Sequence, residues 1–133
     1  NMANILIVDD SKFMRNILSD ILIKEGFQIS GEAENAKECV EMYHRLNPDL
    51  ITLDIIMPRV ENMDAIDAVK EIMQTNPLAR IIVVSSMGQH LMIQEYMQAG
   101  VWDFIVKPFE PSNVARVVRE AMEGVYANSS PYG

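Results

Sequence analysis

Short apolar runs alternate with amphipathic helical stripes five times along this chain, and that alternation constrains the fold more than any other feature. Runs such as Ile5-Leu6-Ile7-Val8 and Leu50-Ile51-Thr52-Leu53 are strand-length and apolar on both faces. Strands covered by helices on both sides of a parallel sheet have this character. Strands are predicted at residues 4–8, 27–33, 50–53, 80–84 and 102–106. Helix 1 begins at Asp10-Ser11 and carries Phe13, Met14, Ile17, Leu18, Ile21 and Leu22 as its inward stripe. Lys24 and Gly26 mark its end. Helix 2 starts at Asn35, with Glu38 completing a capping box. Helix 3 covers 63–74, helix 4 covers 89–98 up to Gly100, and helix 5 follows Pro111-Ser112. The fold class is α/β: a flavodoxin-like (βα)5 three-layer sandwich around a parallel five-stranded sheet. Right-handed crossovers leave few topologies. The order 2-1-3-4-5 is taken from the established rule for flavodoxin-like sheets, which sets the ends of strands 1 and 3 side by side.

A chain of 133 residues is long enough for one cored domain, read here as residues 2–126 with a flexible tail at 127–133. The net charge of −8 argues against nucleic acid as a partner. No apolar stretch approaches the roughly 20 residues of a membrane span, so no membrane insertion is expected. The single cysteine, Cys39, excludes an internal disulfide and fits a reducing, cytoplasmic setting.

Charged residues punctuate the ends of three apolar runs. Asp9-Asp10 follow the first, Asp54 the third and Lys107-Pro108 the fifth. In a parallel sheet these ends share one edge. Helix capping accounts for one acid of the pair and leaves the other unexplained. Carboxylates gathered there repel one another and are costly to bury unpaired. Lys107 and a divalent cation are the groups that could offset them, and Mg²⁺ suits one or two carboxylates plus phosphate oxygens. Ser85 and Ser86 follow the fourth run at the same edge, and either hydroxyl could serve a phosphoryl group. Pro108 is a candidate for a cis peptide bond. His44 and His90 read as surface or interface residues. Trp102 is either an exposed partner anchor or packed on helix 4.

With these positions assembled, the chain resembles the receiver domains of two-component response regulators, most of all the stand-alone chemotaxis regulators. Members of that group are type cases of the strand-order rule used above. The match rests on Ile5-Leu6-Ile7-Val8-Asp9-Asp10-Ser11, Thr52-Leu53-Asp54-Ile55-Ile56-Met57-Pro58, Val83-Val84-Ser85-Ser86-Met87-Gly88 and Asp103-Phe104-Ile105-Val106-Lys107-Pro108-Phe109. The resemblance makes 2–126 a receiver domain. It implies that Asp54 accepts a phosphoryl group from a phosphohistidine of a chemotaxis-type histidine kinase. Mg²⁺ would sit on Asp10 directly, on Asp9 mainly through water, on Asp54 and on the backbone carbonyl of Ile56. Ser85, at the family's spacing from Lys107, would bind phosphate together with Lys107, and Phe104 would be the aromatic switch. The output would be a changed face of helix 4, strand 5 and helix 5. A flagellar motor switch protein and a phosphatase are the implied partners of a monomeric, cytoplasmic protein that is not an enzyme. Two departures stand out. Arg59-Val60-Glu61-Asn62 lengthens the turn after Met57-Pro58 by about three residues, and Ala65 stands where the family usually has Gly.

Four other readings compete. A flavodoxin-like FMN carrier needs an anion-cradling first loop, which Asp9-Asp10 would oppose. A Mg²⁺-dependent phosphohydrolase would carry an acid two residues past its nucleophile, where Ile56 stands. The chain could also be the receiver of a longer regulator, or a phosphate sink.

Overall fold

The computed structural model describes residues 3–124, so both ends of the expected domain at 2 and 126, and the tail at 127–133, lie outside the described residues. Five strands, β1 (Asn4–Val8), β2 (Gln28–Ala33), β3 (Leu50–Asp54), β4 (Ile81–Ser86) and β5 (Asp103–Lys107), alternate with five helices. These are α1 (Lys12–Lys24), α2 (Ala36–Leu46), α3 (Ala65–Thr75), α4 (His90–Gln98) and α5 (Pro111–Glu123). All strand pairs are parallel, in the order β2-β1-β3-β4-β5. The expected topology is the one observed.

Successive strand residues point to opposite sheet faces, and the core divides accordingly. Leu6, Val8, Ile51, Leu53, Ile81 and Val83 pack with α2, α3 and Tyr96 of α4. Ile5, Ile7, Leu50, Ile82 and Ile105 pack with α1 and α5. Almost every side chain of β1, β3 and β4 is therefore out of water, which explains their unbroken apolar runs, while the edge strands β2 and β5 stay partly exposed. No helix among the described residues is long and apolar enough to cross a membrane.

Local chemistry moves several boundaries. Neither Asp9 nor Asp10 caps α1: Ser11 does, accepting from the Met14 N–H at 3.2 Å. Phe13 was expected on the inward stripe but is 71% exposed, because the cap sets the helix phase so that Leu18 and Leu22 face the core. Asn35 caps α2, but Glu38 accepts from the Glu34 N–H and not from Asn35, so the expected reciprocal box does not close. α3 begins at Ala65 and not at 63, where Asp64 and Asp67 form a true capping box. β4 runs two residues past 84, which brings Ser85 into the sheet. Trp102 neither anchors an exposed patch nor packs on α4. It lies half-buried against the α1/α5 layer, with the Arg80 guanidinium 4.3 Å from its ring centroid.

Candidate functional site

The carboxyl ends of β1, β3 and β5 bring the acids and the lysine together. Along each strand, alternation places Asp9, Asp54 and Lys107 on the α1/α5 side of the sheet edge. Asp9 and Asp54 are buried and Asp10 is exposed at the mouth. One oxygen from each of these three acids lies within 4.8 Å of the others. Lys107 Nζ sits 3.3 Å from Asp9 Oδ2 and 3.5 Å from Asp54 Oδ2. Backbone amides hold the other oxygens: Ser11 N–H donates to Asp9 Oδ1 at 2.9 Å, and Ile56 N–H donates to Asp54 Oδ1 at 3.3 Å.

One lysine faces three carboxylates, and the balance is unfavourable. Burial, followed by the neighbouring Asp9 charge, pushes the Asp54 carboxyl up to about 6; Lys107 and the Ile56 amide oppose this only in part. A cation at the mouth would reverse that sign, since an opposite charge favours the carboxylate. The donor set is all hard oxygen with one exposed member, which suits Mg²⁺ with its retained waters. The residues present fit the implied metal.

Ser85 is the sheet-edge hydroxyl, and local packing separates it from Ser86. Ser85 is 1% exposed and its Oγ has no hydrogen-bond partner. Ser86 is exposed, and its N–H donates to Gln89 Oε1 at 2.7 Å. A buried hydroxyl without a partner is unfavourable unless something completes it. Ser85 lies opposite Val106 in the sheet, and Phe104 lies opposite Val83. Ser85 and Phe104 thus share the α3/α4 face. Phe104 is half-buried at a groove of about 710 Å³ between the β4–α4 turn, α4 and β5. The Lys107–Pro108 peptide bond is cis, as expected. His44 and His90 are exposed, and His90 lines the groove beside Phe104.

The lengthened turn is ordered as a small hairpin. Val60 and Met63 exchange backbone hydrogen bonds of 3.2 and 2.9 Å around Glu61 and Asn62. Lys37 of α2 holds Glu61 at 2.6 Å, and Arg59 reaches Asp64 at 3.6 Å. Val60 and Pro58 then wall a cleft whose other side is Asp10, Glu34 and Asn35. Sequence reasoning missed Arg15, which donates to the Asp9 carbonyl at 2.7 Å. No sequence signal singles it out, because Lys12 puts another cation in the same first turn.

The family model for the response regulator receiver domain matches residues 5–119. This chain belongs to the response regulator receiver domain family. The receiver is 52% identical over 116 residues to chemotaxis protein CheY of Thermotoga maritima, covering 87% of this chain and 94% of that protein. It is 49% identical over 118 residues to CheY of Bacillus subtilis, covering 89% and 96%. Among solved structures, the CheX–CheY–BeF₃–Mg²⁺ complex from Borrelia burgdorferi superposes with a TM-score of 0.81 at 38% identity, covering 89% of this chain and 87% of that chain. NtrX of Brucella abortus superposes with a TM-score of 0.87 at 27% identity. The match covers 93% of the receiver but only 28% of the NtrX chain. The receiver is therefore CheY-like in sequence over most of its length, and its acid site occupies the sheet edge where the strand order reverses.

Proposed function

We propose that this receiver is a phosphorylation-activated, CheY-like response regulator that takes a phosphoryl group from a histidine kinase onto Asp54. The observation that carries the reading is the buried Asp54 carboxylate, with Lys107 3.5 Å away and Asp9 and Asp10 within 4.8 Å. An Asp54 oxygen attacks the phosphorus of the phosphohistidine. The P–N bond breaks, and the imidazole nitrogen keeps the electron pair. Lys107 stands where it can pair with the transferred phosphoryl oxygens, and the unpaired Ser85 hydroxyl can donate to one of them. Asp10, Asp54 and the Ile56 carbonyl would hold Mg²⁺, with Asp9 acting mainly through water. The bound ion would neutralise charge on the acids and the phosphoryl group. A phosphohydrolase would carry a second acid where Ile56 stands, which favours signalling over turnover of small phosphoesters. The receiver is a signalling protein.

Phosphorylation shifts a two-state equilibrium toward the form with Ser85 drawn to phosphate, and Phe104 moves on the same sheet face. The α4–β5–α5 surface carries the output. The likeness to CheY proteins supports a chemotaxis role, with a motor switch protein as target and a phosphatase as antagonist. The Borrelia CheY solved with CheX supports the last of these. We read residues 2–126 as the receiver domain of a cytoplasmic monomer.

Acetyl phosphate or phosphoramidate with Mg²⁺ should add one phosphoryl group, as read by intact-mass spectrometry. Labelling should vanish in Asp54→Asn and in EDTA; undiminished labelling of Asp54→Asn overturns the assignment. Beryllofluoride with Mg²⁺ should move amide resonances along 90–122, less so in Ser85→Ala. Unmoved resonances there would replace the switch with a phosphate sink. Trp102 sits at the opposite end of the sheet, bonded to the Ile81 carbonyl, so its fluorescence is a poor reporter of this event.

A further inference from the structure

Asp9 and Asp10 are neighbours held in opposite ways. Every polar group of Asp9 is engaged. Its N–H donates to the Ala33 carbonyl at 3.0 Å. Its carboxylate accepts from Ser11 N–H and from Lys107. Its carbonyl accepts from Arg15 Nη1 at 2.7 Å. Among the described residues no hydrogen bond or ion pair holds the Asp10 carboxylate. Its aim is therefore set by the backbone alone, and the carbonyl that Arg15 grips belongs to the peptide plane joining Asp9 to Asp10. Arg15 is itself fixed: its Nε donates to Glu32 Oε1 at 2.7 Å, and its side chain is only 11% exposed. One planar guanidinium thus ties the start of α1 to the ends of β1 and β2. A fork of this kind sets direction as well as distance.

We propose that Arg15 is the positioning residue for the acid pair, pinning the Asp9–Asp10 peptide so that the free Asp10 carboxylate is aimed at the divalent cation. This rests on the reading above that Asp10 and Asp54 hold that cation. Charge and position make opposite predictions. Arg15 is a positive charge beside a cation site, so by charge alone its removal would tighten Mg²⁺ binding. By position, its removal loosens the peptide and weakens binding; residues that orient metal ligands typically contribute 10-fold or more to affinity.

Titration calorimetry with MgCl₂ decides between them. Arg15→Gln should bind Mg²⁺ about tenfold more weakly than the unaltered receiver. Arg15→Lys should bind a few-fold more weakly, because it keeps the charge but not the fork. Melts in EDTA check that both variants fold, and Arg15→Lys carries the test if Arg15→Gln does not. Arg15→Gln or Arg15→Lys binding as tightly as the unaltered receiver, or more tightly, overturns the proposal while leaving the metal site intact. Unaltered receiver whose Mg²⁺ binding is indifferent to Asp10→Asn overturns both readings together.

Discussion

Thr52 Oγ1 lies fully buried two residues before Asp54 with no hydrogen-bond partner. Burying an unpaired hydroxyl costs about 1–3 kcal/mol, and Val has nearly the same shape. Thr52→Val should raise stability by about 1 kcal/mol in urea melts. Asp54 carries a larger burden. Its carboxyl sits at about 6 when folded, against an ordinary value of 3.8. An acid with a raised folded value favours the fold while protonated, so its contribution is full below about pH 4. It is lost as pH rises to about 6 and stays lost above. In EDTA, Asp54→Asn should therefore be more stable than the unaltered receiver at pH 7.5, on the order of 2 kcal/mol, with the difference shrinking toward pH 4. A constant difference across that range would contradict the burial argument. These acids and Lys107 were legible in the sequence because a charge ending an apolar run has no reason to be there for packing. Arg15 was not, since an arginine on a helix ordinarily reads as a solvated face, and only the carbonyl it grips distinguishes it.

The turn from β3 to α3 shows what local rules determine element by element. Asp64 accepts from the Asp67 N–H at 3.4 Å, while Asp67 accepts from the Asp64 N–H at 3.0 Å. The Asp64 amide it accepts holds the Asp67 carboxyl below its usual range. Asp64→Ala should cost about 1 kcal/mol in denaturant melts, the usual value of an N-cap. Asp in place of the customary Glu or Gln at the third position hid this box in the sequence. Just before it, Glu61 and Asn62 both adopt positive φ, 52° and 61°. Asn tolerates this, but Glu meets the Cβ penalty of about 1–2 kcal/mol. Its exposed pairing with Lys37 returns little. Glu61→Gly should therefore raise the thermal midpoint; a lowered midpoint would give the Lys37 latch the larger share. The hairpin's existence was not legible, because neither residue is glycine. The strands and helices themselves were, because the apolar period follows burial in most of them, Phe13 of α1 being an exception. Trp102 was misplaced since sequence spacing cannot say that the chain turns into β5 only at Asp103.

For the molecule as a whole, the strand order followed from a general rule for parallel sheets and not from any residue of this chain. The rule also fixes what the molecule can report about itself. Cys39 is fully buried between α2 and the sheet, and burial pushes its thiol up to about 12. A thiol reagent should label it only through opening of the fold. Labelling should slow when Mg²⁺ stabilises the native state, by about 2.7 kcal/mol at a hundredfold excess over Kd. Reaction at the rate of a free thiol would show that α2 opens on its own. The sheet is one residue thick and its two faces touch different helices. Asp54 and Lys107 belong to one face, Ser85 and Phe104 to the other, and no described hydrogen bond joins the two sets. Any small group seated on Asp54 that also captures the Ser85 hydroxyl would act as a rivet through the sheet, making the two helix layers mechanically one. The instruction would pass from one face of the sheet to the other at its carboxyl edge, carried by a single tetrahedral ion.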